Sequence, residues 1–350
     1  MPESNTANPG TINRQDWRND ITLLEPQKTP FTSRVSKKTE AAAMLVETFG
    51  DRLGNVTTAG RREGGPSGVG GNALKDIGRF GAYQHFTQQE WSVSHHQRII
   101  AQRGGLAGVS DAEEYSRTRT ELLVKLNVEV VNCSNLETQD GQGGSADMQT
   151  RGAFRWLDDA PGALSPAVDP KYRATTASHI VHGNASGMLF TEDQLYQQLK
   201  ELARIRGENQ GFFGLFGFNV VETLDKMSRI ASTNVIANPP AAVLYTTRQD
   251  DKEHTIQLMV NIYKCSFGSV EVVPTVRLLW NDATQLGDPN AGLTLDPDLW
   301  FLDFLENINE ATTFGRDTGN ATVSGGTWQS TWVNECRSPR GNGRILQTDL

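Results

Sequence analysis

Long apolar runs and paired cysteines are missing from this sequence of 350 residues. No run approaches the roughly 20 apolar residues that a membrane span requires, and the N-terminal stretch MPESNTANPG is polar. The sequence therefore predicts no membrane contact and no signal peptide. Its three cysteines, Cys133, Cys265 and Cys336, are too far apart for a zinc motif and odd in number, so we expect no metal, no disulfide framework and a reducing compartment.

Residue sets typical of catalysis are also missing. Among the six histidines, His179-x-x-His182 has a metal-like spacing, but its neighbours include no Asp, Glu or Cys. The stretch GGPSGVG lacks the last glycine of a nucleophile elbow, and the paired aspartates occupy turn-like segments where Asp bonds to its own backbone. We therefore predict no enzymatic activity and no cofactor.

Charge is unevenly distributed along a chain whose formal net charge is −8. The first 110 residues carry 13 Lys and Arg against 10 Asp and Glu, and the remainder is strongly acidic. A dedicated nucleic-acid binder normally concentrates its cations, because phosphate neutralisation supplies most of its affinity. No such concentration is visible along the sequence, which favours an acidic surface that keeps the protein in solution.

The first hundred residues predict an arm followed by a long hairpin. Residues 1–40 show no sustained period, and their apolar side chains, including Leu24 and Phe31, must be buried in the chain's own core or in a neighbouring subunit. Residues 41–53 and 83–98 favour strands, and we expect them to form the two arms of a hairpin. Its tip holds six glycines between Gly60 and Gly71, without the Lys of a phosphate-binding loop. Glycine at such a tip suits a chain that turns or lies close to another backbone.

Two helices stand out in the middle of the chain. Residues 110–137 begin with a Ser110-x-x-Glu113 capping box and carry one apolar stripe through Leu122 and Leu126, opposite a ladder of alternating charges that ends at Glu129. This pattern predicts a long helix with one solvated face, lying on a sheet. A second helix should begin after Thr191 and end near Gly207.

The rest of the chain predicts mostly strands. GLFGFNVVETLDKMSRI has the pattern of a strand and a short helix, and a strand pair is expected on either side of Phe267-Gly268. LWFLDFLENINEATTF and GTWQSTWVNECRSPRGNGRIL add further strands. The predicted fold class is therefore α+β.

This order of parts resembles the major capsid proteins of tailed bacteriophages, which have the Hong Kong 97-type fold. The arm segment DITLLEPQKTPFTSRVSKK with its Thr29-Pro30-Phe31, the strand HFTQQEWSVS, and the late segments YKCSFGSVEVVPTVRLL and LDPDLWFLDFLENINEATTFGRDTGN are similar to one large capsid subfamily. The resemblance implies an N-terminal arm, an extended β-hairpin loop, a long spine helix on a sheet, and an axial domain. The implied ranges are 1–40 for the arm, 41–100 for the extended loop, 101–204 for a peripheral domain, 205–325 for the axial domain, and 326–350 for a return to the peripheral domain.

The resemblance also implies a function. The expected protein is a head protein that assembles as hexamers and pentamers into an icosahedral shell enclosing double-stranded DNA, which it contacts non-specifically. Its expected partners are further copies of itself, a portal protein, and scaffolding and decoration proteins; assembly would occur in the host cytoplasm, and the final location would be the virion. Another virion or tail protein, or a cellular nanocompartment shell of the same fold, remains an alternative. The candidate contacts between subunits are Leu24, Phe31, Arg61, Arg62, Lys75, Arg79 and Trp91.

Overall fold

A computed structural model describes nine parts of the chain: residues 28–50, 77–102, 111–141, 147–158, 168–182, 189–207, 210–233, 262–314 and 323–346. Leu24, Arg61, Arg62 and Lys75 lie outside these ranges, as does the glycine-rich tip. The described residues divide into two compact units. The smaller unit is drawn from segments 88–124 and 309–329, and the larger from segments 28–87, 125–308 and 330–346.

Helices and strands are interleaved along the described residues. The helices are α1 (Pro30–Arg34), α2 (His95–Gln102), α3 (Ala112–Asn132), α4 (Ala153–Trp156), α5 (Glu192–Arg206) and α6 (Phe218–Thr233). The strands are β1 (Ser36–Lys38), β2 (Leu45–Gly50), β3 (Gly78–Tyr83), β4 (His85–Ser94), β5 (His179–Val181), β6 (Gln210–Phe216), β7 (Ile262–Cys265), β8 (Gly268–Pro274), β9 (Gly292–Leu295), β10 (Trp300–Phe314), β11 (Val323–Cys336) and β12 (Gly343–Leu346). The expected mixture of helices and sheets is confirmed.

The strands form sheets of six, four and two strands. The order is β5-β12-β9-β6-β8-β7 in the first and β1-β10-β11-β4 in the second, and β2 pairs with β3 in the third. Strand β6 runs parallel to β8, whereas β12 is parallel to β5 and antiparallel to β9. The predicted pair around Phe267-Gly268 is present as β7 and β8, which are antiparallel.

Helix α5 has the predicted signals at both ends. The Thr191 side chain accepts a hydrogen bond from the Gln194 backbone, and the Gln194 side chain accepts one from the Thr191 backbone, which completes a capping box. Gly207 ends the helix at a φ of 79°, a left-handed conformation that costs glycine little. Leu195, Leu199 and Leu202 are buried along one face, so the predicted stripe is confirmed.

Helix α3 is shorter than the predicted span of 110–137. Its first turn is capped by Asp111, whose side chain accepts hydrogen bonds from the backbones of Glu113 and Glu114; Ser110 lies outside the described residues. Its buried positions include a series four residues apart: Thr120, Val124, Val128 and Asn132. Of the predicted stripe, Leu126 and Cys133 are buried and Leu122 is half-buried; burial extends beyond the stripe because ELLVKLNVEVV carries apolar residues on more than one face.

The predicted hairpin needs a correction in its second strand. Strand β2 pairs with β3 in antiparallel register from Leu45↔Tyr83 to Gly50↔Gly78, so only Tyr83 of the predicted segment 83–98 takes part. That segment is divided between β4, which belongs to the four-stranded sheet, and helix α2. Alternation of apolar and polar residues predicted a strand correctly, but it could not indicate which strand is the partner.

The core of the larger unit has two parts. One surrounds the fully buried indoles of Trp156, Trp300 and Trp332, and the other lies under α5 and includes Phe190 and Phe216. The smaller unit has its own cluster, built by Trp91, Val93, Ala101 and Ala112. Among the helices of the described residues, none combines the length and the apolarity that crossing a membrane requires.

Two leucines of helix α3 test which face of the helix is structural. Leu126 is 5% exposed and Leu123 is 41% exposed. Leu126→Asp should lower the free energy of unfolding by several kcal/mol, because it buries a charge, whereas Leu123→Asp should change it by no more than about 0.5 kcal/mol. Urea unfolding of the isolated subunits measures both, and equal losses would contradict this assignment of faces.

Candidate functional site

The first described residues of the arm are fixed to the body of the chain. We call residues 28–41 the anchor segment. It begins with the short helix α1, whose proline occupies the first helical turn, where a missing N–H costs nothing. Thr29 provides no side-chain cap for this helix. The N–H groups of the first turn therefore need an acceptor from elsewhere in the chain.

Glu129 of helix α3 provides that acceptor. Its Oε1 accepts a hydrogen bond from the Phe31 N–H at 2.7 Å, and its Oε2 accepts bonds from the Thr32 N–H at 2.8 Å and the Thr32 hydroxyl at 2.6 Å. Glu129 is 0% exposed. Burial raises the pKa of its carboxyl, and the bonds from Thr32 and Phe31 and the nearby Arg277 oppose that rise.

The charge ladder predicted for this helix was wrong at Glu129. Four-residue spacing from Lys125 suggested a solvated position, but the side chain is entirely buried. The signal that distinguishes it is its surroundings, since Glu129 is the one charged residue in the run NVEVV. A lone carboxylate in such a run is compatible with burial only if hydrogen bonds compensate for the lost water.

The sequence left open whether Phe31 is buried in the chain's own core or in a neighbouring subunit. In the structure it lies in the chain's own core. Its side chain is 0% exposed and meets the ring of Trp300 edge-on, with the ring centres 5.9 Å apart. The burial of Phe31 is thus complete within a single chain. Sequence could not decide between the two environments, because the acceptor and the aromatic partner lie about 100 and 270 residues away.

Two further carboxylates hold the remainder of the anchor segment. Arg34 forms a two-pronged pair with Glu271 of strand β8, at 2.5 and 2.6 Å. Strand β1 then pairs with β10 in parallel, and Asp303 of β10 accepts hydrogen bonds from the backbones of Glu40 and Ala41 at 2.8 and 3.0 Å. The anchor segment is thus tied along its length by acidic side chains of the same chain.

Arg79 lies on the surface, at the far end of the β2–β3 hairpin. Its side chain is 66% exposed and pairs with Glu47 at 3.0 Å. It lies opposite Phe49, whose side chain is 68% exposed, with the guanidinium 5.8 Å from the ring centre. This end of the hairpin therefore presents an aromatic side chain and a cation together.

Trp91 is a core residue of the smaller unit. It is 6% exposed, and its indole N–H donates to Glu310 at 3.0 Å, a carboxylate that also pairs with Arg117. Three of the sequence-predicted contact residues, Phe31, Arg79 and Trp91, lie in the described part of the chain. Phe31 and Trp91 are buried in their own chain, and only Arg79 is exposed among those described.

Chemical groups for metal binding are not assembled in the described part of the chain. No group of three or more His, Cys, Asp or Glu side chains lies close enough together to hold an ion there. Cys133 and Cys336 are buried free thiols, and burial raises the pKa of both. The described residues instead form contacts that hold the anchor segment and the β2–β3 hairpin in place.

Removal of the Glu129 carboxylate tests the anchor. Glu129→Ala leaves the buried N–H groups of α1 without an acceptor and should lower the free energy of unfolding by about 3–5 kcal/mol. The exposed Glu114 of the same helix is the control, and Glu114→Ala should cost no more than about 1 kcal/mol. Urea unfolding followed by tryptophan fluorescence measures both. A Glu129 variant as stable as the control would show that the anchor does not depend on this carboxylate.

Comparison with solved structures shows the fold. The cyanophage A-1(L) capsid asymmetric unit matches with a TM-score of 0.65 and 12% identity, covering 97% of this chain and 98% of that one. The capsid of the native GTA particle matches with a TM-score of 0.56 and 10% identity (96% and 95% covered), and the mature capsid of bacteriophage PhiM1 with 0.53 and 12% (97% and 93%). The expected Hong Kong 97-type fold is confirmed.

Sequence comparison identifies the family. No curated protein sequence matches this chain. The family model described as SU10 major capsid protein matches residues 4–349, which is nearly the whole length. The chain therefore belongs to the family of SU10 major capsid proteins.

Proposed function

We propose that copies of this chain associate as hexamers and pentamers into an icosahedral shell that encloses double-stranded DNA, as the head protein of a tailed bacteriophage. The observation that carries the proposal is the family match over residues 4–349. The role is structural, without catalysis or cofactor. Assembly in the host cytoplasm, contact with a portal, scaffolding and decoration proteins, and non-specific contact with the packaged DNA belong to the same proposal.

The anchor segment supports a specific role for the arm. Residues from Phe31 to Ala41 are bound by their own subunit, so contact with a neighbour is assigned to the residues before Lys28, with Leu24 as the apolar candidate. Twenty-seven residues span up to about 90 Å when extended, which is enough to reach an adjacent subunit.

The hairpin supports an equivalent role for the extended loop. Exposed Arg79 and Phe49 lie where β2 and β3 lead into the connection 51–77. We assign this end of the hairpin to contact with a neighbouring subunit, with Arg61, Arg62 and Lys75 as further cations on the connection. Exposed ion pairs contribute about 0–1 kcal/mol each, so the stability of this contact comes from the sum of several weak pairs.

The six-stranded sheet is our candidate for the axial domain, with bounds that differ from those implied by sequence. Strands β6 to β9 fall in the range 205–325, but β5 and β12 belong to the same sheet. The boundary at 325/326 also falls inside strand β11. Residues 343–346 are therefore assigned with the axial sheet rather than with the return segment.

Electron microscopy of the expressed chain tests the function. We expect closed shells of uniform size in negative stain. Tubes or open rings would favour a tail protein, and shells that enclose protein instead of DNA after expression with the phage packaging proteins would favour a nanocompartment. A chain that stays monomeric at all concentrations would contradict the proposal.

Shortening the extended loop tests its contact role separately. Gly50 and Gly78 are paired across the antiparallel hairpin, so an Asn-Gly turn in place of residues 51–77 suits the register. The shortened chain should fold normally but form shells that disrupt at lower temperature, with the difference from the wild type shrinking at high salt because exposed pairs are screened. Thermal disruption at low and high ionic strength measures this. Equal stability of both shells would mean that the connection is a tolerated insertion.

A further inference from the structure

The two faces of the β2–β3 hairpin differ in burial. Residues directly opposite one another share a face, and successive pairs alternate between the faces. One face carries the pairs Val46↔Ala82, Thr48↔Phe80 and Gly50↔Gly78. We call it the inner face, because Phe80 and Ala82 are buried. The other, outer face carries Phe49 and Arg79, which are both exposed.

The ring of Tyr172 covers the far end of the inner face. It meets the ring of Phe80 edge-on, with the ring centres 5.2 Å apart, and Tyr172 is 8% exposed. Both residues belong to the core cluster that surrounds the buried indoles. A two-stranded hairpin is only marginally stable in water unless one of its faces packs against another part of the protein. The packing of Tyr172 therefore helps to hold this hairpin on its own subunit.

Two glycines make room for the ring. Gly50 and Gly78 are directly paired at the end of the hairpin. A Cβ at Gly78 would collide with Cδ2 and Cε2 of Tyr172. A Cβ at Gly50 would be 3.3 Å from Cε1 of the same ring and 2.6 Å from Cε2 of Phe80. Neither glycine has a positive φ, so the close approach of the rings is what requires glycine here.

Hydrogen bonds fix the turn that carries Tyr172. The Tyr172 N–H donates to the Asp169 carbonyl at 2.9 Å, and the Asp169 side chain accepts from the Lys171 N–H at 2.9 Å. Arg340, from the segment after β11, donates from Nη1 to the Lys171 carbonyl at 3.0 Å. The ring therefore belongs to a turn that is itself bound to another part of the larger unit.

The contact lies at the end of the hairpin that leads into the connection 51–77. Gly50↔Gly78 is the last pair of the hairpin, and it follows directly on Phe49↔Arg79. At the other end, Ala82 is buried and Val46 packs against the same core cluster. Loss of the Tyr172 ring would therefore uncover the end that carries the exposed aromatic side chain and cation, and leave the base of the hairpin packed.

We propose that Tyr172 is a positioning residue for the contact that the hairpin makes with a neighbouring subunit. This inference rests on the proposed function, which assigns that contact to the end of the hairpin with Phe49 and Arg79. The ring holds the inner face against the body of the subunit, and the alternation of faces then directs Phe49 and Arg79 outward. A contact surface held in its bound geometry loses less conformational entropy when the partner binds.

Four single variants of the full-length chain test this role. Tyr172→Ala removes the ring, and Gly78→Ala fills the space that the ring needs. Each should raise the protein concentration required for assembly about fivefold or more, because the contact loses its preorganised geometry. Tyr172→Phe keeps the ring and should stay within about twofold of the wild type. Gly81→Ala is the matched control on the outer face of the same strand, where a Cβ would first meet Cγ of the Glu47 side chain at 3.1 Å.

Hydrogen exchange of the unassembled subunits measures the position of the hairpin itself. In Tyr172→Ala and Gly78→Ala, exchange should rise about tenfold or more at residues 48–50 and 78–80, while the protection of helix α5 stays unchanged. Tyr172→Phe and Gly81→Ala should exchange like the wild type. If Tyr172→Ala fails to fold, Gly78→Ala decides, because it leaves the tyrosine in place.

Light scattering and negative-stain microscopy follow assembly of the same variants. Wild-type shells together with normal assembly of Tyr172→Ala and Gly78→Ala would overturn this inference and leave the proposed function intact. Exchange that rises throughout the subunit in both variants would also overturn it, because Tyr172 would then act on overall stability. Failure of the wild type to form shells would refute the proposed function, and the positioning role with it.

Discussion

A single buried carboxylate fixes where the arm leaves the body of this protein. Glu129 has no contact with solvent and accepts three hydrogen bonds from Phe31 and Thr32. A charged group in that environment is tolerable only when its hydrogen bonds are complete, so helix α1 and the carboxylate depend on each other. The ring of Phe31 then reaches Trp300 in the core. Beyond this point, the rest of the anchor segment is held by Glu271 and Asp303.

Two aromatic residues that the sequence offered as contact candidates lie inside the fold of their own subunit. The aromatic residues Phe31 and Trp91 are buried in their own subunit and stabilise it. The exposed end of the β2–β3 hairpin carries a cation and an aromatic ring side by side, Arg79 and Phe49. Exposed charged contacts are individually weak and sensitive to salt, which suits subunits that must find their register before the shell becomes stable.

Local sequence determined the features whose causes are local. The capping box at Thr191, the stop at Gly207, the strand pair around Phe267-Gly268 and the α+β class all depend on residues a few positions apart, and the family resemblance depended on their order. Tertiary structure decided the partner of strand β2 and the burial of Glu129 and Phe31. Each of these depends on residues brought together from tens to hundreds of positions away, by burial and backbone pairing that no short window of sequence contains.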